Sequence, residues 1–223
     1  MFITRQQARD LDHWAIHTLG IPGIVLMENA SREMAHLLLS LGISGPVWIA
    51  CGPGNNGGDG LAIARYLEIA GIDVRITLFA DPGELRGDAA INYRILSESG
   101  FEIEVTTTPA RETLEARMDG VDWVVDALFG TGLTRPLEGP FGLIVETINQ
   151  KAGKILAVDI PSGLDCDRGL PNGEAIRATH TATVAYSKTG FQNPLSAGWT
   201  GKVHVVNMGI PFRALRRLEK NWE

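Results

Sequence analysis

Three short segments carry the residues able to do chemistry. Residues 52 to 60 read Gly-Pro-Gly-Asn-Asn-Gly-Gly-Asp-Gly, residues 126 to 136 read Asp-Ala-Leu-Phe-Gly-Thr-Gly-Leu-Thr-Arg-Pro, and residues 159 to 165 read Asp-Ile-Pro-Ser-Gly-Leu-Asp. The first follows the apolar run Val47 to Cys51 and precedes the helix-like Leu61 to Leu67, which predicts a strand, a tight turn and a helix start. Glycine is selected where φ is positive or where a ligand approaches the main chain, and a helix N-terminus offers free N–H groups and partial positive charge. Such a corner suits a phosphate or another anion. Gly52, Gly54 and Gly57 satisfy the dinucleotide spacing G-x-G-x-x-G, with Asp81 at the end of the next predicted strand as a ribose partner. The plainer alternative is a glycine turn that packs a helix closely on a sheet, with Asp59 as its N-cap. Two asparagines and an aspartate are more polar groups than a turn needs, and they can read hydroxyls or coordinate a cation. No Gly-Lys-Ser/Thr follows, so a Walker loop is excluded.

The elements that must position these segments are legible as alternating apolar patterns. Thr4 is a plausible N-cap for a helix to about Leu19, and a second helix runs from about Ile24 to Leu41. Strands then alternate with helices: strand 46 to 51, helix 60 to 70, strand 73 to 80, helix 84 to 99, strand 102 to 106, helix 110 to 118, strand 122 to 128, helix 140 to 151, strand 154 to 159. That order predicts a mostly parallel sheet covered by helices on both faces. Ala182 to Tyr186 and Lys202 to Val206 add two edge or antiparallel strands, and Arg213 to Glu223 forms a closing helix. In such a sheet ligands bind outside the carboxyl ends of the strands, and all three segments have that address.

The chain has 223 residues, 44% hydrophobic and 21% charged, with net charge -6. An acidic balance argues against a polyanion-binding surface, so no nucleic-acid partner is expected. Cys51 and Cys166 form no C-x-x-C pair, which excludes a zinc framework and fits a reduced, cytoplasmic setting. No basic-then-apolar leader and no run of about 18 apolar residues occurs, so neither export nor a membrane span is expected.

Asp126 and Asp159 end strands of buried character, where a carboxylate needs a cation, a donor or a raised pKa. Ser162 lacks the G-x-S-x-G elbow of a hydrolase nucleophile. His13 and His17 stand one helical turn apart before the sheet begins and fit a surface face, and the five histidines show no ligand spacing with carboxylates.

Taken together, Asn55-Asn56-Gly57-Gly58-Asp59, Asp126 to Gly132 and Asp159 to Asp165, in this order and spacing, closely resemble the NAD(P)HX epimerase family, also called the YjeF N-terminal domain family, over nearly the whole chain. The two leading helices and Lys188 fit the same pattern, whereas Tyr186-Ser187 stand where small apolar residues are expected. The resemblance implies an α/β fold, a Rossmann-like three-layer αβα sandwich with a mostly parallel central sheet and two N-terminal helices. Residues 1–223 would form a single such domain, with no dehydratase domain. It implies an enzyme interconverting the R and S forms of hydrated NADH and NADPH, which carry a hydroxyl at C6 of the reduced nicotinamide ring. Asn55, Asn56, Gly57, Gly58, Asp59, Gly130, Thr131, Gly132, Leu133, Thr134, Arg135, Pro136 and Asp159 would bind the substrate. Asn56, Asp126 and Ser162 would hold one potassium ion per subunit, an all-oxygen set suited to a hard cation. Asp159 is the candidate acid and base, and Lys188 an accessory that either pairs with it or contacts a phosphate. A homodimer and a functional link to a separate ADP/ATP-dependent NAD(P)HX dehydratase are also implied. The competing readings are a non-catalytic nucleotide-binding or scaffold module of this fold and a NAD-dependent dehydrogenase. The latter lacks the Y-x-x-x-K spacing, since Tyr186 and Lys188 are two apart.

Overall fold

The computed structural model describes residues 1–220 and Trp222. In chain order the elements are β1 (Phe2–Ile3), α1 (Arg5–His17), α2 (Gly23–Leu41), β2 (Val47–Cys51), α3 (Asn55–Ile69), β3 (Val74–Leu78), α4 (Gly87–Glu98), β4 (Ile103–Val105), α5 (Arg111–Arg117), β5 (Trp123–Ala127), α6 (Gly139–Lys151), β6 (Ile155–Val158), β7 (His180–Val184), β8 (Ser187–Lys188), α7 (Ala197–Thr200), β9 (Lys202–Val206) and α8 (Phe212–Glu219). The expected closing helix is α8, and its residues 221 and 223 lie outside the described residues.

Seven strands form one sheet in the order β4-β3-β2-β5-β6-β7-β9. Every pairing is parallel. The chain runs outward from β2 to β4 and then returns to start β5 on the other side of β2, so the strand order reverses between β2 and β5. This is the doubly wound arrangement expected from the alternation. Side-chain alternation explains the continuous apolar strands. Val47, Ile49 and Cys51 of β2 enter one core with α2, α3 and α4, while Trp48 and Ala50 enter the other with α5 and α6. A strand covered on both faces has no polar side to offer.

Three expectations need correction. The helix after β2 starts at Asn55, not at residue 60, so Asn55 to Asp59 form its first turn, and Gly54, not Asp59, is its N-cap. None of the five glycines between 52 and 60 has positive φ. Four of them serve close approach instead, whereas a Cβ on Gly54 would meet nothing within 4 Å. A Cβ on Gly52 would collide with the Leu128 carbonyl oxygen, one on Gly57 with the Gly52 carbonyl oxygen, and one on Gly60 would lie 2.6 Å from Ala127 Cβ. Second, the strands near residues 182 and 202 are not antiparallel. β7 is interior and β9 is the parallel edge, because the segment between them, holding β8 and α7, is long enough for a crossover. Third, a two-stranded parallel pair, β1 with β8, was not foreseen; it sets Ile3 beside Lys188. Thr4 caps α1 as expected, with Gln7 closing a reciprocal capping box.

Candidate active site

A cavity of about 620 Å³ opens at the reversal of strand order. The loop after β2 and the first turn of α3 contribute Gly54, Asn55, Asn56 and Asp59; the loop after β5 contributes Gly130 to Arg135; the end of β6 contributes Asp159; β8 contributes Lys188. Three segments separated by up to a hundred positions in the chain thus meet because parallel strands bring all their carboxyl ends to one edge.

Asp159 is held rigidly. Its backbone has φ of 64°, a left-handed conformation that aspartate tolerates better than most residues. Oδ1 accepts from Lys188 Nζ at 2.8 Å, from the Val184 amide at 3.1 Å and from Thr183 Oγ1 at 3.3 Å. Lys188 is 1% exposed. Its ammonium also donates to the carbonyls of Val184 and Tyr186, at 3.1 and 3.2 Å, so three acceptors match its three protons. Ala185, with φ of 60°, makes the turn that carries these two carbonyls. Of the two roles expected for Lys188, pairing with Asp159 is the one observed. The hydroxyl of Tyr186 donates to Glu219 at 2.7 Å and the ring packs on Trp222, so this residue neither narrows the cavity nor offers a proton to it.

Beneath the cavity floor Asp126 and Ser162 are both fully buried. Ser162 Oγ donates to Asp126 Oδ1 at 2.6 Å, the Ser162 amide to Oδ2 at 2.8 Å, and the Phe129 amide donates to Ser162 Oγ at 2.9 Å. Among the described residues Asp126 has no cationic partner, and burial pushes its carboxyl up to about 6 although Ser162 and the Leu128 amide hydrogen-bond to it. Asn56 is 8% exposed and its Nδ2 has no partner in the described protein. A Cβ on Gly130 would sit 3.0 Å from Asn56 Oδ1, so glycine lets the amide and the loop after β5 approach closely. A buried carboxylate lacking a counter-charge, a hydroxyl oxygen and the amide oxygen of Asn56 fit a hard, weakly charged cation, whereas the orphaned Nδ2 of Asn56 is a donor and calls for an acceptor. Among the described residues no three His, Cys, Asp or Glu side chains cluster as a metal site.

The cavity is rich in carboxylates. Burial raises Asp59 well above the usual range; a hydrogen bond from buried Ser31 at 3.0 Å opposes this, and the charges of Asp159, Asp12 and Asp88 add to it. Burial also raises Asp88. Asp12 is itself solvent-exposed at the mouth of the cavity, yet the cavity walls that surround its carboxyl push it up to about 6, with Asp159 adding to the rise and Lys188 pulling the other way. Asp12, Asp88, Arg9, Met27 and Met208 line the cavity without having been singled out in the sequence. A signal existed for Asp12: it sits in the stripe Ala8, Leu11, Asp12, Ala15 of α1, a charge among apolar residues at helical spacing. Conversely, Gly57, Gly58 and Pro136 do not line the cavity. The two glycines are buried by backbone packing, and Pro136 faces Gly173. Asp81 is not a ribose partner; it is exposed and caps the short turn Pro82–Glu84 through the Gly83 amide.

Comparison with known proteins agrees with this architecture. The chain is 43% identical over 216 residues to a protein of Rhodopirellula baltica, covering 96% of this chain and 87% of that one, and 40% identical to one of Pirellula staleyi, covering 96% and 95%; both are named NAD(P)H-hydrate epimerase. A Thermofilum pendens protein, named bifunctional NAD(P)H-hydrate repair enzyme Nnr, is 42% identical over 92% of this chain and 39% of its own length. The crystal structure of yeast ynu0 superposes with a TM-score of 0.82 at 22% identity, covering 98% of this chain and 93% of that one, which supports the fold. Residues 23–190 match the family described as YjeF-related protein N-terminus, and the chain belongs to that family.

Proposed function

We propose that this protein is an NAD(P)H-hydrate epimerase, an isomerase that interconverts the R and S forms of hydrated NADH and NADPH. The observation that carries the reading is the convergence of the α3 first turn, the loop after β5 and Asp159 on one cavity at the reversal of strand order. Relatives matched over nearly their full length bear that name. No redox cofactor is required, because inversion at C6 leaves the oxidation state unchanged.

In the proposed chemistry the ring nitrogen pushes electrons toward C6 as the hydroxyl leaves, and water enters the planar iminium from the other face. Asp159 exchanges a proton with the departing or arriving oxygen. Its carboxylate favours the cationic intermediate electrostatically, and the ion pair with Lys188 holds it in one orientation. Asn55, Asn56, Gly57, Gly58, Asp59, Pro136 and the loop Gly130 to Arg135 are the proposed substrate cradle, with Gly57, Gly58 and Pro136 acting through the backbone they shape. The test is the rate at which the purified chain equilibrates isolated R-NADHX with its S form, followed by chromatography. Acceleration over buffer is expected; none would exclude the reading.

Asn56, Asp126 and Ser162 are the proposed holders of one potassium ion, which would neutralise Asp126 and tie the loops after β2, β5 and β6 together. Potassium at about 100-fold over its Kd then stabilises by about 2.7 kcal/mol, a rise of roughly 5–10 °C in Tm for a chain of this size. Thermal melts in potassium against tetramethylammonium measure this, and the rise should vanish in Asp126→Asn. An equal Tm in both salts would remove the cation from the proposal.

No helix among the described residues is long and apolar enough to cross a membrane. We further propose that residues 1–223 are one domain working in the cytoplasm as a homodimer, and that the epimerised product passes to an ADP/ATP-dependent dehydratase. The bifunctional names of some relatives support that link. Exposed Leu19, between α1 and α2, and Val25, in the first turn of α2, suit the dimer contact, and a sedimentation coefficient of a single chain would refute it.

A further inference from the structure

Inversion at C6 through a planar cation needs proton transfer on both faces of the ring, since one oxygen leaves from one side and the other arrives from the opposite side. A carboxylate fixed by its surroundings serves one side. Asp159 is fixed in this way: Oδ1 is taken up by Lys188, Val184 and Thr183, and only Oδ2, which leans toward Gly130, is left for the ligand.

The cavity holds a second carboxylate that this chemistry has not yet used. Asp12 enters it from α1, outside the sheet, whereas Asp159 enters from the end of β6. The two are near enough for the charge of one to act on the other. Asp59 is held by Ser31 and Asp126 by Ser162. The carboxyls of Asp12 and Asp88 accept from no described donor, and of these two it is Asp12 whose charge and that of Asp159 act on each other, whereas burial alone raises Asp88.

We propose that Asp12 is the second catalytic acid–base group of the epimerisation, acting on the ring face turned away from Asp159; this rests on the epimerase reading. In one direction protonated Asp12 gives its proton to the C6 hydroxyl, and the C6–O bond breaks with its electron pair leaving in water. The lone pair of the ring nitrogen becomes the second bond of C=N. A water on the other face then adds its oxygen to C6, its proton passes to Asp159, and the C=N pair returns to nitrogen. One water leaves, one enters, and one proton moves from Asp12 to Asp159, to be returned through solvent or by the reverse turnover, in which the roles exchange.

The charged groups that line the same cavity as Asp12 are Arg9 on its own helix, Asp59 on α3, Asp88 on α4, Arg135 in the loop after β5, Asp159 after β6 and Lys188 on β8; of these Asp159, Lys188 and Asp59 feel or exert charge at Asp12. The cavity walls around its carboxyl, with Asp159 next, push Asp12 up to about 6. Above that pH Asp12 has lost its proton, so kcat/KM should fall about tenfold per pH unit, equally in both directions because the equilibrium constant is independent of pH.

The experiment compares wild type, Asp12→Asn and Asp12→Glu in the equilibration of R-NADHX between pH 5 and 8. Asp12→Asn is expected to lose about 10²-fold or more in kcat, with KM within about threefold and without the fall above pH 6. Asp12→Glu, which retains a carboxyl, should recover part of the rate together with a displaced pH limb, and it carries the test if the Asn variant does not fold. An Asn variant with kcat within about threefold of wild type, or with the pH limb intact, overturns the inference, as does a Glu variant unchanged in both. Wild type that itself fails to accelerate the reaction refutes the epimerase reading instead, so the two failures are distinguishable.

Discussion

Asp159→Asn is expected to lower kcat for NADHX epimerisation by about 10² to 10⁴ while the protein stays folded, the range a positioned acid–base group commands. Asparagine is the informative replacement. It tolerates the left-handed backbone at φ of 64°, and its amide oxygen still accepts from the Val184 amide and Thr183 Oγ1. Lys188 loses its anion but keeps the two carbonyls of Val184 and Tyr186. Both variants take the anion away from buried Lys188, but Asp159→Ala would confound the result further, because it adds backbone strain of about 1 kcal/mol or more and also leaves the Val184 amide and Thr183 Oγ1 without their acceptor. The discriminating readout is kcat against KM. A residue that merely shapes the pocket would raise KM, whereas loss of a proton carrier lowers kcat with KM nearly constant. Wild-type kcat in the Asn variant would dismiss Asp159 as the acid–base group.

How far the sequence anticipated this site depends on whether a feature is local or assembled by packing. The strands were legible because burial on both faces makes them uniformly apolar, and the loops after them because glycines and acids interrupt those runs. Asp159, which lines the cavity, and the buried pair Asp126 and Ser162 stand out in the sequence for that reason. The parallel direction of β7 and β9 was not, since direction is a property of the crossover between them and no residue in either strand encodes it. Nor was the pairing of β1 with β8, two residues on each side, too short for any periodic pattern. Asp12 escaped because an amphipathic helix face explains Leu11 and Ala15 fully; that the same face also walls a cavity appears only when α1 is laid over the strand ends. Asp81 illustrates the converse. It has the spacing of a ribose partner, yet β3 ends in an exposed turn whose Gly83 amide takes its carboxylate.

Gly57→Ala should cost both stability and activity, although alanine is the better helix former by about 1 kcal/mol. The decision rests on what the added methyl meets. Leu128 carbonyl, Gly52 and Gly57 stack as three layers of backbone with no side chain between them, and the Cβ of residue 57 would fall within the contact distance of the Gly52 carbonyl oxygen. A flexible side chain yields cheaply; this carbonyl belongs to the turn that follows β2, whose own amide is bonded to Ala127 at 2.9 Å. Overpacking against such a neighbour costs about 1–3 kcal/mol or more, which outweighs the propensity gain and moves the first turn of α3 away from the loop after β5. Asn56 lies in that turn. A displacement of order 1 Å at a positioned group is enough for about a 10²-fold loss of rate. Thermal melting and NADHX equilibration measure the two effects, and Gly153→Ala, where a Cβ meets nothing within 4 Å, is the control, expected within about 0.5 kcal/mol of wild type. Should Gly57→Ala melt and turn over like that control, the close backbone stack is not what aligns the catalytic loops, and the glycines of residues 52 to 60 would have to be explained by ligand approach instead.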